Sequence, residues 1–212
     1  MKKITIAIII VILLSFLIAG YAYQVIEEDT VATHWDSEGN VNGYMSKLWG
    51  LFLLPLISVG IYLLFLFIPK IDPLKKNIQK FRKDFDLFIL MILLFLLYIS
   101  IITTLANMDY VFNMTTMLLP AIGLLFYYIG SIMKKFKRNW FIGIRTPWTL
   151  SSDEVWKKTH KLASILFKIT GVIILLGIFF PPKYLTWFIL IPTFTTVILV
   201  VVYSYLEYKK IK

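Results

Sequence analysis

The residues best suited to chemistry lie in one acidic segment, Glu27 to Lys47, which holds five carboxylates, one histidine and a single lysine. His34, Asp36 and Glu38 alternate there, so their side chains would point to one side of an extended chain. Imidazole and carboxylate groups together are typical ligands of a divalent metal. The alternatives are a turn-rich loop whose histidine and acids bond to nearby backbone, and recognition of an external ligand. We favour the loop, keep ligand recognition as the alternative, and predict no metal or other cofactor.

The same segment carries two turn signals, Asp36–Asn40 and Asn42–Gly43. Glycine and asparagine tolerate positive φ, and aspartate, serine and asparagine bond to their own backbone. The rings of Trp35 and Tyr44 are amphipathic and suit the level of the lipid headgroups. The candidate ligand-binding residues of this segment are His34, Trp35, Asp36, Gly39, Gly43 and Lys47.

A second unusual segment, Asn139 to Leu150, mixes aromatic residues with glycine, proline and one arginine, and we expect it to lie at the lipid surface. Directly after it, Ser151 and Glu154 have the spacing of a capping box, which predicts that a helix begins there. This helix would be a short interfacial amphipathic one, either separate from the fifth span or continuous with it, with lysines mostly on one face. Helical spacing places four residues on its other face: Trp156, His160, Ala163 and Phe167.

The candidate residues of this second segment form no catalytic pattern. They are Asn139, Gly143, Arg145, Thr146, Pro147, Trp148, Thr149, Trp156, Thr159 and His160. His160 is either a pH-sensitive contact or, as is commoner for a lone histidine, simply hydrogen-bonded. Neither segment brings a nucleophile, a base and an orienting group together, so we predict that the protein is not an enzyme.

The elements that must position both segments are membrane-spanning helices. Of the 212 residues 59% are hydrophobic, and the mean hydropathy is +0.80. The chain therefore has more apolar surface than one soluble core could bury. The apolar residues fall in blocks of about 20, the length of an α-helix that crosses a bilayer. The sequence predicts an all-α polytopic membrane protein with a bundle of six spans: Ile4–Tyr23, Leu48–Ile68, Leu87–Ala106, Tyr110–Met133, Leu162–Phe180 and Tyr184–Tyr205.

The basic residues predict the orientation of this bundle. The net charge is +10, and 19 of the 22 lysines and arginines lie before the first span, in the second and fourth connections, or after the last span. By the positive-inside rule these regions, including both termini, face the cytoplasm. This distribution, without a recognition motif, argues against nucleic-acid binding. We expect the first span to be retained as an anchor, because its apolar run is longer than a signal-peptide core.

The chain divides into two predicted units. Residues 1–68 would form two helices around the acidic outer loop 24–47, and residues 69–212 four helices around the basic inner loop 134–161. No aspartate, glutamate or histidine lies in the middle of a span, which argues against a coupled transporter. The absence of cysteine excludes disulfides and thiolate-bound metals.

Both segments resemble known motifs. The outer THWDSEGNVNGYMSK is similar to a membrane domain of unknown function with an HW-x-x-x-G pattern, and the inner NWFIGIRTPWTLSSDEVWKKTHKLA resembles the motif of the SdpI family. That resemblance implies an immunity protein against a sporulation-delaying toxin, a secreted peptide that collapses the membrane potential of sibling cells. It also implies a bacterial cell membrane as the location and a toxic peptide at the outer face as a partner, beside the lipid bilayer that the composition implies.

Three functions therefore compete. The leading hypothesis is an immunity or peptide-sensing protein that acts by binding, because a cationic peptide would be attracted to the outer carboxylates. The first alternative is a small-solute transporter or channel, which needs a continuous polar path. The second is a signalling scaffold, in which the basic inner loop recruits a cytoplasmic regulator.

Overall fold

A computed structural model describes residues 2–211 and shows a bundle of long helices with one small β-hairpin. In chain order the elements are α1 (Lys2–Val25), β1 (Thr30–Trp35), β2 (Val41–Ser46), α2 (Lys47–Ile71), α3 (Lys75–Lys80), α4 (Arg82–Ala106), α5 (Met114–Met133), α6 (Pro147–Ser151), α7 (Asp153–Leu176), a short 3₁₀ turn (Gly177–Phe179) and α8 (Pro182–Lys209). Within these residues six helices, α1, α2, α4, α5, α7 and α8, are long and apolar enough to cross a membrane. The prediction of an all-α polytopic membrane protein is confirmed.

Several predicted span boundaries differ from the observed helix ends, and two of these differences have a clear local reason. The fourth span begins at Met114 and not at Tyr110, because the Asn113 side chain caps the helix by accepting a hydrogen bond from the Thr116 amide. The fifth span begins far before Leu162, because α7 is continuous from Asp153. The helix predicted to precede this span is thus its first turns.

The predicted capping box at Ser151 and Glu154 was also wrong. Ser151 is the last residue of α6, and Ser152 caps α7 by accepting from the Val155 amide. A capping box does exist, but it lies at the start of α6, where Thr146 and Thr149 bond reciprocally. Pro147 occupies the first position of α6, so the capping residue of that helix is Thr146. The capping residue of α7 is then Ser152.

The segment predicted to be a turn-rich loop forms an antiparallel hairpin, in which Thr30 pairs with Ser46 and Val31 with Met45. The predicted turn at residues 36–40 is present, with Gly39 at a φ of 91°. The predicted turn at residues 42–43 was wrong, because both lie within β2. Gly43 instead faces His34 where the pairing register shifts, and a Cβ there would lie 2.9 Å from His34 Cβ.

Small residues bring α5 and α7 into backbone contact. A Cβ on Gly171 would lie 2.6 Å from the Gly123 carbonyl oxygen, and the Ser164 hydroxyl donates to the Gly130 carbonyl at 2.6 Å. Close approach at glycine and serine is how helices associate where lipid removes the hydrophobic driving force. The outward faces are largely apolar and exposed, as lipid contact requires.

Candidate functional site

The two segments with unusual composition lie at opposite ends of the bundle. Successive spanning helices alternate in direction, so the hairpin and the connection 107–113 share one end, here named the hairpin end. Residues 72–82 and 134–152 lie together at the other, the basic end. A helix of 20 to 25 residues is about 30 to 38 Å long, so His34 and His160 do not meet.

Asn107, in the connection between α4 and α5, holds the hairpin to the bundle. Its side chain accepts from the Ala32 amide at 2.7 Å and donates to the Ala32 carbonyl at 3.0 Å, as a neighbouring strand would. The same amide group also donates to the Thr103 carbonyl at 2.9 Å. The outer edge of β1 is therefore paired at this point.

The hairpin turn has its own contact with α5. The Asn113 side chain donates to the Glu38 carbonyl, and the Thr115 hydroxyl donates to the Asp36 carbonyl at 3.3 Å. Gly39 packs so closely on Asn113 that a Cβ would lie 2.3 Å from its side-chain nitrogen. The turn thus rests on the first residues of α5.

Most predicted hairpin residues have structural contacts. Asp36 accepts from the amides of Glu38 and Asn40, and His34 Nδ1 bonds to the Asn42 side chain. The Asn40 backbone amide is the main cause that lowers the pKa of Asp36 below its ordinary value. Ionised Asp36 therefore stabilises the turn above the ordinary carboxyl pKa, and this stabilisation is lost as the pH falls through the lowered value. Lys47 donates to the Ile26 carbonyl at 2.7 Å and so closes the base of the hairpin.

A cavity of about 450 Å³ separates the hairpin from α2, α4 and α5. Its lining is mostly apolar and includes His34, Trp35, Met45, Leu54, Ile99 and Leu118. Five carboxylates at this end are exposed: Glu27, Glu28, Asp29, Glu38 and Asp109. The hairpin end thus joins an acidic surface to an apolar cavity.

At the basic end, Asn139 organises the predicted motif. Its fully buried side chain donates to the carbonyls of Lys137 and Ile142, and its oxygen accepts from the amides of Phe141 and Ile142, all at 2.7 to 2.9 Å. Buried Asp72 accepts from the Trp140 amide at 2.9 Å. Side chains here replace the hydrogen bonds that regular structure would supply.

His160 is buried and hydrogen-bonded at both ring nitrogens, as expected for a structural histidine. Nε2 accepts from the Ile144 amide at 3.1 Å, so Nδ1 carries the proton and donates to the Trp156 carbonyl at 2.8 Å. The Trp156 ring stacks on the imidazole with centroids 4.0 Å apart. Gly143 covers the pair with a φ of 105°, and a Cβ there would lie 2.5 Å from Nε2.

The remaining motif residues pack around this centre. Thr146 bonds to Ser204 of α8 at 3.1 Å, and Thr149 donates to the Ile144 carbonyl at 2.7 Å. Exposed Arg145 donates to the Trp140 carbonyl at 2.8 Å. Three others have plainer positions: Pro147 begins α6, Trp148 packs on Tyr205, and Thr159 is buried with no hydrogen-bond partner within residues 2–211.

The structure assigns important contacts to four residues that the sequence analysis did not single out for them: Asp72, Asn107, Asn113 and Ser204. A polar residue placed in a short connection between apolar spans is the signal that could have identified Asp72 and Asn107. Nothing local distinguishes Ser204 within α8. Among residues 2–211, no three histidine, aspartate or glutamate side chains are grouped as a metal site would require.

Two family models match the chain, and each matched region includes one of the two segments described above. Residues 135–205 match the model of the SdpI/YfhL protein family, and residues 10–59 match a domain of unknown function, DUF1648. The chain is 30% identical over 211 residues to the immunity protein SdpI of Bacillus subtilis (strain 168), covering 100% of this chain and 98% of that protein. No solved structure matches the chain. Because the similarity covers all of this chain and 98% of that relative, this protein belongs to the SdpI family.

Proposed function

We propose that this protein protects its host membrane against a secreted antimicrobial peptide by binding the peptide at the hairpin end, without catalysis. The proposal follows the name of the B. subtilis relative, an immunity protein. The observation that carries it is the apolar cavity of about 450 Å³ beside the acidic hairpin surface. An apolar cavity of about 150 Å³ accommodates benzene, so this one has room for aromatic side chains of a peptide.

Charge brings the peptide to the site in this mechanism. Exposed carboxylates at the hairpin end attract a cationic peptide and raise its local concentration. Insertion of apolar side chains between His34, Met45 and Leu118 then retains it. Acid–base chemistry has no part in this step, because His34 and Asp36 are engaged in hydrogen bonds within the hairpin.

The free edge of β2 offers backbone contacts as well. The amide and carbonyl of Ala32 point away from β2 and bond to Asn107. Tyr44 is the antiparallel partner of Ala32, so the amide and carbonyl of Tyr44 point away from β1. Tyr44 is 65% exposed. An extended peptide can add to such an edge as a third strand while its alternate side chains enter a pocket.

This function requires the hairpin end to face outward and both termini to be cytoplasmic. The chain has no cysteine, so single cysteines can report the orientation. With a membrane-impermeant maleimide on intact cells, we expect Ser37→Cys to label and Ser151→Cys to label only after the cells are permeabilised. Both serines are exposed. Labelling of Ser151→Cys from outside would refute this orientation and the mechanism with it.

The cavity is tested by filling it. Leu118→Trp places an indole in the cavity, so we expect binding of the peptide to weaken about tenfold or more and protection to be lost. The matched control is Leu124→Trp on the same helix, at a site that is 57% exposed on the bundle surface. The measurements are crosslinking of labelled cationic peptides to cells and the membrane potential of those cells after challenge.

Two results would contradict the proposal. One is a deletion strain that is killed no faster than its parent by any peptide of a broad panel. The other is a Leu118→Trp protein that is present at the normal level in the membrane, and both binds and protects like the Leu124→Trp control.

A further inference from the structure

A second cavity, of about 300 Å³, lies at the basic end between α3, the segment that follows α5, and the first turns of α7. Lysines from all three elements line it: Lys80, Lys134, Lys137 and Lys157. They are separated by up to 77 positions in the chain, so the fold and not a local charge run brings them together. Phe136 and Trp156 supply the apolar part of the lining.

These four lysines differ from their basic neighbours in having no acidic partner. Within residues 2–211 all four are exposed and none forms an ion pair, whereas Lys135 pairs with Asp84 and Arg138 with Asp153, each at 2.7 Å. One acid, Asp153, also lines the cavity, but its carboxylate already pairs with Arg138. Four cations around one cavity repel each other, and an anion in the cavity relieves that repulsion.

The walls of this cavity are fixed by hydrogen bonds. The Trp156 indole, 2% exposed, donates to the Phe136 carbonyl at 2.8 Å, which joins α7 to the segment after α5. The Asn77 side chain donates to the Arg138 carbonyl at 2.9 Å, which joins the same segment to α3. The cations thus project from a preformed frame. Preorganisation of this kind lowers the cost of binding a ligand.

We infer that this cavity binds a phosphate-bearing anion. Ammonium groups are compact donors that suit the several oxygens and multiple charge of a phosphate, and the volume suits a headgroup or a small diphosphate. The positive-inside rule accounts for the number of lysines at this end, but it does not require them to converge on one cavity. The inference rests on this cavity and not on the proposed immunity function.

The test uses full-length protein in nanodiscs and two sources of phosphate. In the first arm, inorganic pyrophosphate is titrated calorimetrically at low salt into nanodiscs of phosphatidylcholine. In the second, native mass spectrometry counts the phosphatidylglycerol molecules retained from nanodiscs of mixed phosphatidylcholine and phosphatidylglycerol. The variant is Lys134→Gln with Lys137→Gln. The matched control is Lys75→Gln with Lys76→Gln, which removes the same charge from exposed α3 positions at the same end.

We expect the cavity variant, but not the control, to lose about tenfold or more in affinity in at least one arm, because it removes two of the four charges that surround the anion. Restoring the charge with Lys134→Arg and Lys137→Arg should recover most of the binding. Selective loss of pyrophosphate identifies a soluble phosphate, and selective loss of phosphatidylglycerol identifies a lipid headgroup. Equal losses in variant and control, or no binding in either arm, would overturn the inference.

Discussion

Gly143→Ala should destabilise the protein by about 3 kcal/mol or more. At a φ of 105° an L-residue is strained by about 1 to 3 kcal/mol, and the new Cβ would also lie 2.5 Å from the buried His160 Nε2. The ring cannot withdraw, because both of its nitrogens are hydrogen-bonded and Trp156 stacks on one face. Thermal unfolding in detergent, followed by size-exclusion recovery, measures the effect.

Two further proteins separate the causes of this loss. Gly60→Ala is the control, because a Cβ there meets nothing within 4 Å and alanine favours a helix more than glycine does. In a His160→Ala background the contact with Nε2 is absent, so Gly143→Ala should cost less, and what remains is the backbone strain and the contact with the Trp156 ring at 3.2 Å. If Gly143→Ala unfolds at the same temperature as the wild type, this packing does not stabilise the fold.

Asn139→Ala should cost about 3 kcal/mol. The substitution leaves two amides and two carbonyls around residues 137–142 without their partner, and an unsatisfied buried group costs about 1 to 3 kcal/mol. Asn139→Asp keeps the two accepting interactions but loses both donated bonds, so it should also be destabilised. The free energy of unfolding in mixed micelles provides the measurement.

Gln79→Ala is the control for this second prediction. It removes an amide of similar size from the same end, at a position that is exposed on α3. We expect its unfolding free energy to lie within about 0.5 kcal/mol of the wild type. If Asn139→Ala unfolds with the same free energy as Gln79→Ala, the buried asparagine does not organise the segment.

The spans were predictable because lipid imposes a simple rule. Each crossing needs about 20 apolar residues whose backbone groups bond within the helix, so hydropathy alone locates them. That Trp156, His160 and Ala163 share one helix face followed from the helical period in the same way, although the sequence did not indicate that this face is buried in the bundle. Only the ends differed, as at Met114 and Asp153, where local capping decides the start of a helix.

The hairpin was not predictable from its own sequence. Its strands are short, and polar residues occupy both faces, so the alternation that indicates a strand is weak. What holds it in place comes from Asn107 and Asn113, each 75 positions from the hairpin residue that it bonds. Local propensity carries no information about contacts at such separations.

The site at the basic end shows the same limit. Composition and motif indicated Gly143, Asn139 and His160, yet nothing in the sequence specified that the glycine would cover the imidazole. Asp72 lies 68 positions from the amide that it accepts from. Residue types can thus be predicted as important before their physical roles are known.

The backbone contact between α5 and α7 limits how the two ends can influence each other. At Gly123, Gly130 and Gly171 the two helices are in close contact, so one cannot slide along the other. We therefore expect α5 and α7 to tilt together. The hairpin turn bears on the first residues of α5, and Trp156 and His160 lie near the start of α7. A displacement of the turn would therefore be carried to Trp156 and His160 at the basic end by a common movement of α5 and α7.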